Sequence, residues 1–171
     1  MNNTDLKNLI HKQKLNFSLD QEFYVNQDIF DLDVKNIFSK QWVFVGHISR
    51  IPNLGDYFLF NIGKESIIII RDNDNSVHAH YNVCRHRGSQ ICLENEGNAK
   101  VLTCPYHAWT YNLDGSLKGA RLMDKGFNQN EWHLHKCNSK IFEGLIFINL
   151  SENPNDFEEF IAPTKKFIQF H

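Results

Sequence analysis

Two short segments of the chain each place one cysteine close to one histidine. The first contains Cys84 and His86 within YNVCRHRGSQIC, and the second contains Cys104 and His107 within LTCPYHAWTY. Seventeen residues lie between the two pairs. Thiolate sulfur and imidazole nitrogen are ligands for zinc and for iron, so these four side chains predict one metal centre held by two loops.

Two kinds of metal centre could use this ligand set, a single zinc ion and a Rieske [2Fe–2S] cluster. Zinc fingers pair cysteine with cysteine and histidine with histidine at short spacing. Here each loop supplies one cysteine and one histidine, so one iron could take both thiolates and the other both imidazoles. The order of the ligands therefore favours the Rieske cluster, with zinc as the alternative.

The formal charge of a Rieske cluster explains what this ligand set would do. Two ferric ions, two sulfides, two thiolates and two neutral imidazoles sum to about zero, whereas four thiolates would leave a cluster charge of about minus two. An electron is therefore easier to add, and Rieske potentials lie far above those of plant-type ferredoxins. The predicted activity is the transfer of single electrons.

The motifs CRHRGS and CPYHAWTYNLDGSL, with IFSKQWVFVGHISRIPNLGDY before them and EGLIFINLSENP after them, resemble Rieske non-haem iron oxygenases. The resemblance covers about residues 20–160 and is to the Rieske domain of the large (alpha) subunit of ring-hydroxylating oxygenases. It implies that Cys84 and Cys104 hold the inner iron and that His86 and His107 hold the outer iron.

Several further side chains are candidates for roles near the cluster. Tyr106 and Trp109 are expected to shield it or to tune its potential, and Arg87 to position a loop or a partner, although ordinary solvated charge explains the arginine equally well. Respiratory-chain Rieske proteins carry two disulfide-bonded cysteines near the positions of Ser89 and Tyr106, so the oxygenase type is favoured. Cys92 is interpreted as a buried thiol.

Other cysteines and histidines have simpler interpretations. Cys137 is expected to be a second buried thiol. His78 and His80 would share one face of a strand and could in principle chelate a second metal, as could His133 and His135, but neither pair has supporting ligands nearby. We expect neither pair to bind metal.

Outside the loops, the pattern of apolar residues predicts a mostly β protein with short helices. A helix is predicted over residues 28–40, and a helix interrupted or restarted at Pro163 in the tail. The fold expected is a Rieske-type antiparallel β-sandwich or small barrel with a cluster-binding subdomain of two loops. Strands are predicted over residues 42–48, 57–62, 66–71, 77–82, 100–103, 109–111, 116–118, 134–142 and 145–150.

Composition excludes several classes of partner. The chain has 171 residues, 42% of them hydrophobic, and a net charge of -2, which fits one globular domain and gives no reason to expect nucleic acid or an anionic membrane. No window approaches the roughly 18 apolar residues of a membrane span, and the first residues lack a secretory signal. A cytoplasmic location is expected.

The resemblance also implies an organisation and a set of partners. Residues 1–41 would form an N-terminal arm and helix, residues 42–150 the Rieske domain, and residues 151–171 the start of a linker to an absent catalytic domain with a mononuclear Fe(II). A flavin- or ferredoxin-type reductase would supply electrons, and the full-length subunit would be a homo-oligomer, a trimer by resemblance. By itself this stretch would shuttle electrons without hydroxylating a substrate.

Two questions stay open at this stage. The cluster motifs look closer to oxygenases that demethylate glycine betaine and related quaternary amines than to aromatic-ring dioxygenases, and mono- and dioxygenation are both possible. A free-standing Rieske ferredoxin is the alternative function, and a zinc-stabilised interaction module is a third. A carrier would not need the helix at residues 28–40 or the tail after residue 155.

Overall fold

The computed structural model describes residues 3–72, 76–124 and 126–168. Its N-terminal part contains three α-helices, α1 (Asn3–His11), α2 (Glu22–Val25) and α3 (Gln27–Asp33). The Asn26 side chain caps α3 by accepting hydrogen bonds from the backbone N–H groups that open it. The predicted helix over residues 28–40 is present, but it changes to a π-helical turn at Val34–Phe38.

In the residues that the structure describes, ten short strands follow and form three antiparallel sheets, so the predicted mostly β antiparallel fold is confirmed. The sheets have the strand orders β1-β10-β9, β4-β3-β2-β5 and β6-β7-β8. The strands are β1 (Val43–His47), β2 (Asp56–Ile62), β3 (Glu65–Arg71), β4 (Val77–Tyr81), β5 (Glu96–Asn98), β6 (Leu102–Thr103), β7 (Thr110–Tyr111), β8 (Leu117–Gly119), β9 (Asn138–Phe142) and β10 (Leu145–Asn149).

Two strands differ from the sequence prediction. The sequence gives no sign of β5, because its three residues are all exposed and carry no alternating apolar pattern. It forms because it pairs with the edge of β2, where the Asn98 amide donates to the Asp56 carboxylate and to the Leu54 carbonyl at 2.8 Å each. The predicted strand over residues 134–142 is shorter, since its first four residues make only an isolated bridge to β4.

The fourth helix, α4 (Phe157–Ile168), continues through Pro163. The predicted interruption at this proline is therefore wrong. Burial of one face of α4 explains why the helix survives the loss of one backbone donor: Phe157 and Ile161 pack with Trp42 and Phe147 against the β1-β10-β9 sheet. No helix in the described part of the chain is long and apolar enough to cross a membrane.

Strand β3 is buried on both faces and divides the core in two. Ile67 and Ile69 pack towards the β1-β10-β9 sheet, whereas Ile68 and Ile70 pack towards the β6-β7-β8 sheet. All four side chains are fully buried, and burial of each contributes about 2 kcal/mol. The second of these two core clusters includes Cys84 and Cys104, so the central sheet supports the candidate site directly.

Candidate cluster-binding site

The first ligand loop follows β4 and is held closed by a buried asparagine. The Asn82 side-chain oxygen accepts hydrogen bonds from the backbone N–H groups of Ile91 and Cys92 at 2.9 Å each. Its amide group donates to the Cys92 carbonyl oxygen at 2.8 Å. Asn82 therefore joins the beginning of the loop to its end and fixes the position of Cys84 between them.

Within this loop the backbone turns tightly around Cys84. The Cys84 N–H donates to the Ser89 carbonyl at 2.8 Å, and the Gly88 N–H donates to the Cys84 carbonyl at 2.9 Å. Gly88 has a φ of 74°, in the left-handed region where glycine carries no steric penalty. The turn also brings the backbone N–H of His86, two residues along the chain, to the Cys84 sulfur.

The second loop repeats the same backbone hydrogen bonds. The Cys104 N–H donates to the Trp109 carbonyl at 2.8 Å, and the Ala108 N–H donates to the Cys104 carbonyl at 3.0 Å. Ala108 has a φ of 58° and occupies the position that Gly88 has in the first loop. The two loops therefore present one cysteine and one histidine each from equivalent backbone turns.

The β7-β8 hairpin, which follows the second loop, packs against a buried histidine. The ring of His80 is fully buried, and because a carbonyl oxygen only accepts, its Nε2 carries a hydrogen and donates to the Leu113 carbonyl at 3.0 Å. A Cβ at Gly115 would come within 2.5 Å of this ring, so glycine is required in the NLDGS turn. Burial lowers the pKa of His80 to about 4, and the ring is therefore neutral at pH 7.

The two candidate thiol ligands lie inside the core, with only 2% of each residue exposed. The Tyr111 hydroxyl lies 3.3 Å from the Cys84 sulfur and accepts the Arg85 N–H at 3.1 Å, which leaves its own hydrogen free to donate to the sulfur. Burial, opposed by this hydrogen bond, raises the pKa of Cys84, and the neighbouring Cys104 thiol raises it further. A thiolate in this place needs a cationic partner such as iron.

The two candidate imidazole ligands lie next to each other. Their ring centroids are 4.7 Å apart and their planes are inclined by 73°. Desolvation first, and then the electrostatic influence of His86 and Arg87, lowers the pKa of His107, which favours the neutral form of this ring. Neutral imidazole is the form that binds a metal.

Buried polar atoms without partners concentrate at these loops. In the described part of the chain, four buried side-chain nitrogens lack a hydrogen-bond partner, and three of them belong to the loops: His86 Nδ1, Trp109 Nε1 and Arg85 Nε. A buried polar atom without a hydrogen-bond partner destabilises the folded chain, unless a ligand supplies the missing partner. A lone pair on His86 Nδ1 fits a metal ion. Trp109 shares a buried core cluster with Cys84 and Cys104, so its unpaired N–H fits a sulfur acceptor. The residues present therefore fit an iron–sulfur group.

A single zinc ion fits this arrangement less well. The two candidate thiols interact with each other, and the two candidate imidazole rings lie next to each other. Two thiols on one side and two imidazoles on the other match two metal ions that take two ligands each.

The three predicted neighbours lie beside the histidines. Trp109 is buried and stacks on His86 with 4.8 Å between ring centroids and 9° between planes. Tyr106 is 59% exposed and lies over His107 at 3.8 Å, and the Arg87 guanidinium lies 5.7 Å from the Tyr106 ring. One imidazole therefore faces the aromatic core and the other faces outward.

Two contacts at the site were not predicted from the sequence. The first is the contact of the Tyr111 hydroxyl with the Cys84 sulfur. Side chains two residues apart on a strand share a face, so the position of Tyr111 relative to Trp109 could have indicated it. The second joins Arg85 to the segment before β9, where its guanidinium donates to His135 Nε2 and lies 5.9 Å from the Trp132 ring. No local pattern reveals this contact, because the partners are far apart in the sequence.

The remaining cysteines and histidines have other neighbours. Cys92 and Cys137 are buried free thiols, as predicted. His78 stacks on His80 at 5.8 Å, which confirms that the two share a strand face, and it pairs with Asp72 at 3.1 Å. His133 Nδ1 accepts the N–H of Leu117 at 2.9 Å.

A comparison with known protein families matches residues 41–138 to the Rieske [2Fe–2S] domain. Among curated proteins, the glycine betaine monooxygenase oxygenase subunit of Pseudomonas aeruginosa is 39% identical over 162 residues, which cover 94% of this chain and 38% of that protein. This chain therefore spans less than two fifths of that relative's length.

Solved structures give the same result. A quaternary ammonium Rieske monooxygenase, CntA, matches 87% of this chain and 42% of its own, with 35% identity and a TM-score of 0.78. Naphthalene 1,2-dioxygenase from Rhodococcus sp. matches 97% of this chain and 39% of its own, with 30% identity and a TM-score of 0.85. Both resemble the present chain in sequence as well as in fold.

Proposed function

We propose that this chain, which belongs to the Rieske [2Fe–2S] domain family, passes single electrons inside an oxygenase subunit, from a flavin- or ferredoxin-type reductase to a mononuclear iron held elsewhere in that subunit. The observation that carries the proposal is the pair of equivalent backbone turns, each presenting one cysteine and one histidine. A bound cluster supplies the capacity to accept and release one electron at a time.

The side chains around that cluster would have different roles. Cys84 and Cys104 would hold the inner iron, where burial keeps water from the thiolates. His86 and His107 would hold the outer iron, and their second ring nitrogens can donate hydrogen bonds that fix the rings. The Tyr111 hydroxyl would stabilise negative charge on the Cys84 sulfur.

The domain limits belong to the same proposal. Residues 42–150 would form the electron-transfer domain, residues 1–41 an arm and helix, and residues 151–171 the start of a linker. Two elements outside the matched range 41–138, α3 and α4, support an oxygenase component over a free-standing ferredoxin, which would not need them. A trimer of full-length subunits is the expected assembly.

The substrate class proposed is a quaternary amine, hydroxylated or oxidatively demethylated by the whole subunit. Support comes from the identities of 39% and 35% with the glycine betaine and quaternary ammonium enzymes, against 30% with naphthalene dioxygenase. Sequencing the coding DNA past His171 tests the oxygenase assignment. A reading frame that encodes an iron-binding domain is expected, and an immediate stop codon in an intact gene would favour the carrier.

Reconstitution of the chain with iron and sulfide tests the cluster assignment. We expect a coloured protein with a Rieske-type electron paramagnetic resonance signal that takes up one electron per chain. Replacement of Cys104 by Ser should abolish this signal, whereas the matched change of Cys92 to Ser, a buried thiol outside the ligand set, should retain it. A colourless protein that holds zinc without sulfide would contradict the assignment.

A further inference from the structure

A line of aromatic rings connects His86 with the protein surface. His86 stacks on the buried Trp109 at 4.8 Å, and Trp109 contacts Trp132 edge-on at 5.6 Å and Phe127 at 5.5 Å. Trp132 is only half-buried and directly follows the exposed turn Gln129–Glu131. Two ring-to-ring contacts therefore separate His86 from a side chain that reaches solvent.

The other imidazole has a different neighbour. His107 lies against Tyr106, which is 59% exposed and adjoins the Arg87 guanidinium. An electron relay has to meet a donor and an acceptor. The two histidines have separate ring contacts, His86 with Trp109 and His107 with Tyr106. One contact can therefore serve the donor and the other the acceptor.

Aromatic contacts suit electron transfer because tunnelling through protein weakens steeply with the gap between groups. The π orbitals of a histidine ligand mix with the iron orbitals, and a stacked indole overlaps with that imidazole directly. Trp109 is held in this stack by packing on three sides, against His86, Phe127 and Trp132. The line of rings is therefore a fixed feature of the core rather than a chance approach of mobile side chains.

We infer that Trp132 is the point at which an electron-donating protein passes its electron to the cluster, through Trp109 and His86. The inference rests on the proposed function. The donor, a reductase that carries a flavin or an iron–sulfur group, loses one electron, and one ferric ion of the cluster becomes ferrous. No bond forms or breaks and no proton moves. The rings of Trp132 and Trp109 shorten the distance over which the electron tunnels, and they are not themselves oxidised or reduced.

A tethered donor tests this route without depending on how a reductase docks. The variant Asn130→Cys places a single accessible thiol two residues before Trp132, since the native Cys92 and Cys137 are buried. A flash excites a ruthenium tris-bipyridyl photosensitiser attached there, a sacrificial amine in solution reduces the excited complex by one electron, and the reduced complex then gives that electron to the cluster. The rate of cluster reduction is measured with wild-type Trp132 and with Trp132→Leu and Trp132→Phe.

We expect Trp132→Leu to slow cluster reduction several-fold, while Trp132→Phe, which keeps a ring, retains most of the rate. The midpoint potential and the resonance signal should stay unchanged in both, because neither variant alters a ligand. The matched control is Phe44→Leu, which removes an exposed ring that packs on Phe147 in the β1-β10-β9 sheet, and it should leave the rate unaltered.

Equal rates in all variants, with the cluster signal intact, would overturn the route but not the proposed function. Loss of the signal in the chain with native Trp132 would refute the proposed function and this inference with it. If Trp132→Leu alone loses the cluster, Trp132→Met fills the space with a flexible apolar side chain and no ring, and an unchanged rate in that variant overturns the route.

Discussion

The two ligand loops share one backbone turn but have different surroundings. In both, the cysteine N–H and carbonyl close the turn, yet the first loop has Gly88 at the left-handed position and the second has Ala108. His86 faces the buried Trp109, whereas His107 faces the exposed Tyr106. A common backbone can therefore present equivalent candidate ligands, whereas the side chains around them give each candidate a different contact.

The supports of the two loops differ as well. Asn82 closes the first loop through three hydrogen bonds and does not titrate. His80 supports the hairpin of the second loop through one hydrogen bond to Leu113, and its ring can take a proton. Acid should therefore affect the second loop before the first.

Exchange of each histidine for cysteine is expected to have the largest effect. Either change adds a negative charge to the cluster, so the midpoint potential should fall, on the order of a hundred millivolts or more, towards the range of plant-type ferredoxins. His86→Cys should lower it further than His107→Cys, or prevent assembly, because the added charge lies against the buried Trp109. Potentiometric titration of both variants measures the difference, and an unchanged Rieske spectrum in His107→Cys would falsify its assignment as a ligand.

The pH dependence of stability should report the titration of His80. Its pKa is about 4 in the folded chain and 6.5 in the unfolded chain, so only the unfolded chain takes the proton between these values. The free energy of unfolding should therefore not change through His80 above pH 6.5, and it should fall by up to about 3 kcal/mol as the pH is lowered to 4. Urea unfolding at pH 7 and pH 5 measures this fall.

The matched variant for this measurement is His80→Gln, whose amide can still donate to the Leu113 carbonyl but cannot take a proton. Its stability should depend less on pH than that of the wild type over the same range. If the two proteins lose stability in parallel between pH 7 and pH 5, His80 is not the group responsible.

Removal of the Tyr111 hydroxyl should have a smaller effect. Tyr111→Phe deletes a hydrogen bond to the Cys84 sulfur worth about 1–2 kcal/mol, so the potential should fall by tens of millivolts, since 59 mV corresponds to about 1.4 kcal/mol for one electron. The comparison is with Tyr106→Phe, an exposed hydroxyl for which no such shift is expected. Equal potentials in wild type and Tyr111→Phe would show that the hydroxyl does not donate to the sulfur.

The smallest effect is expected from exchanging the residues at the left-handed positions. Ala108→Gly should stabilise the fold by up to about 1 kcal/mol, because glycine relieves a backbone penalty of roughly 1–2 kcal/mol but gains entropy in the unfolded chain. Gly88→Ala should destabilise it by a similar amount through backbone strain alone, since a Cβ there meets no atom within 4 Å. Thermal unfolding of both variants checks whether the two turns are equivalent.

Much of the scaffold could be predicted from local pattern. The isoleucine run of β3 and the alternating strands on either side have the lengths and periods of strands, and nearly all of them are present within one or two residues of the predicted bounds. Strand β5 and the continuation of α4 through Pro163 could not be predicted. Both depend on a surface that another part of the chain provides, the edge of β2 and the β1-β10-β9 sheet.

The sequence by itself predicted the candidate ligand set, because Cys84, His86, Cys104 and His107 stand out by residue type and short spacing, which do not depend on the fold. Only the tertiary structure decided what each ligand contacts. The stacking of His86 on Trp109 and of Trp109 on Trp132 joins residues more than twenty positions apart, and such contacts arise from packing that no local pattern encodes.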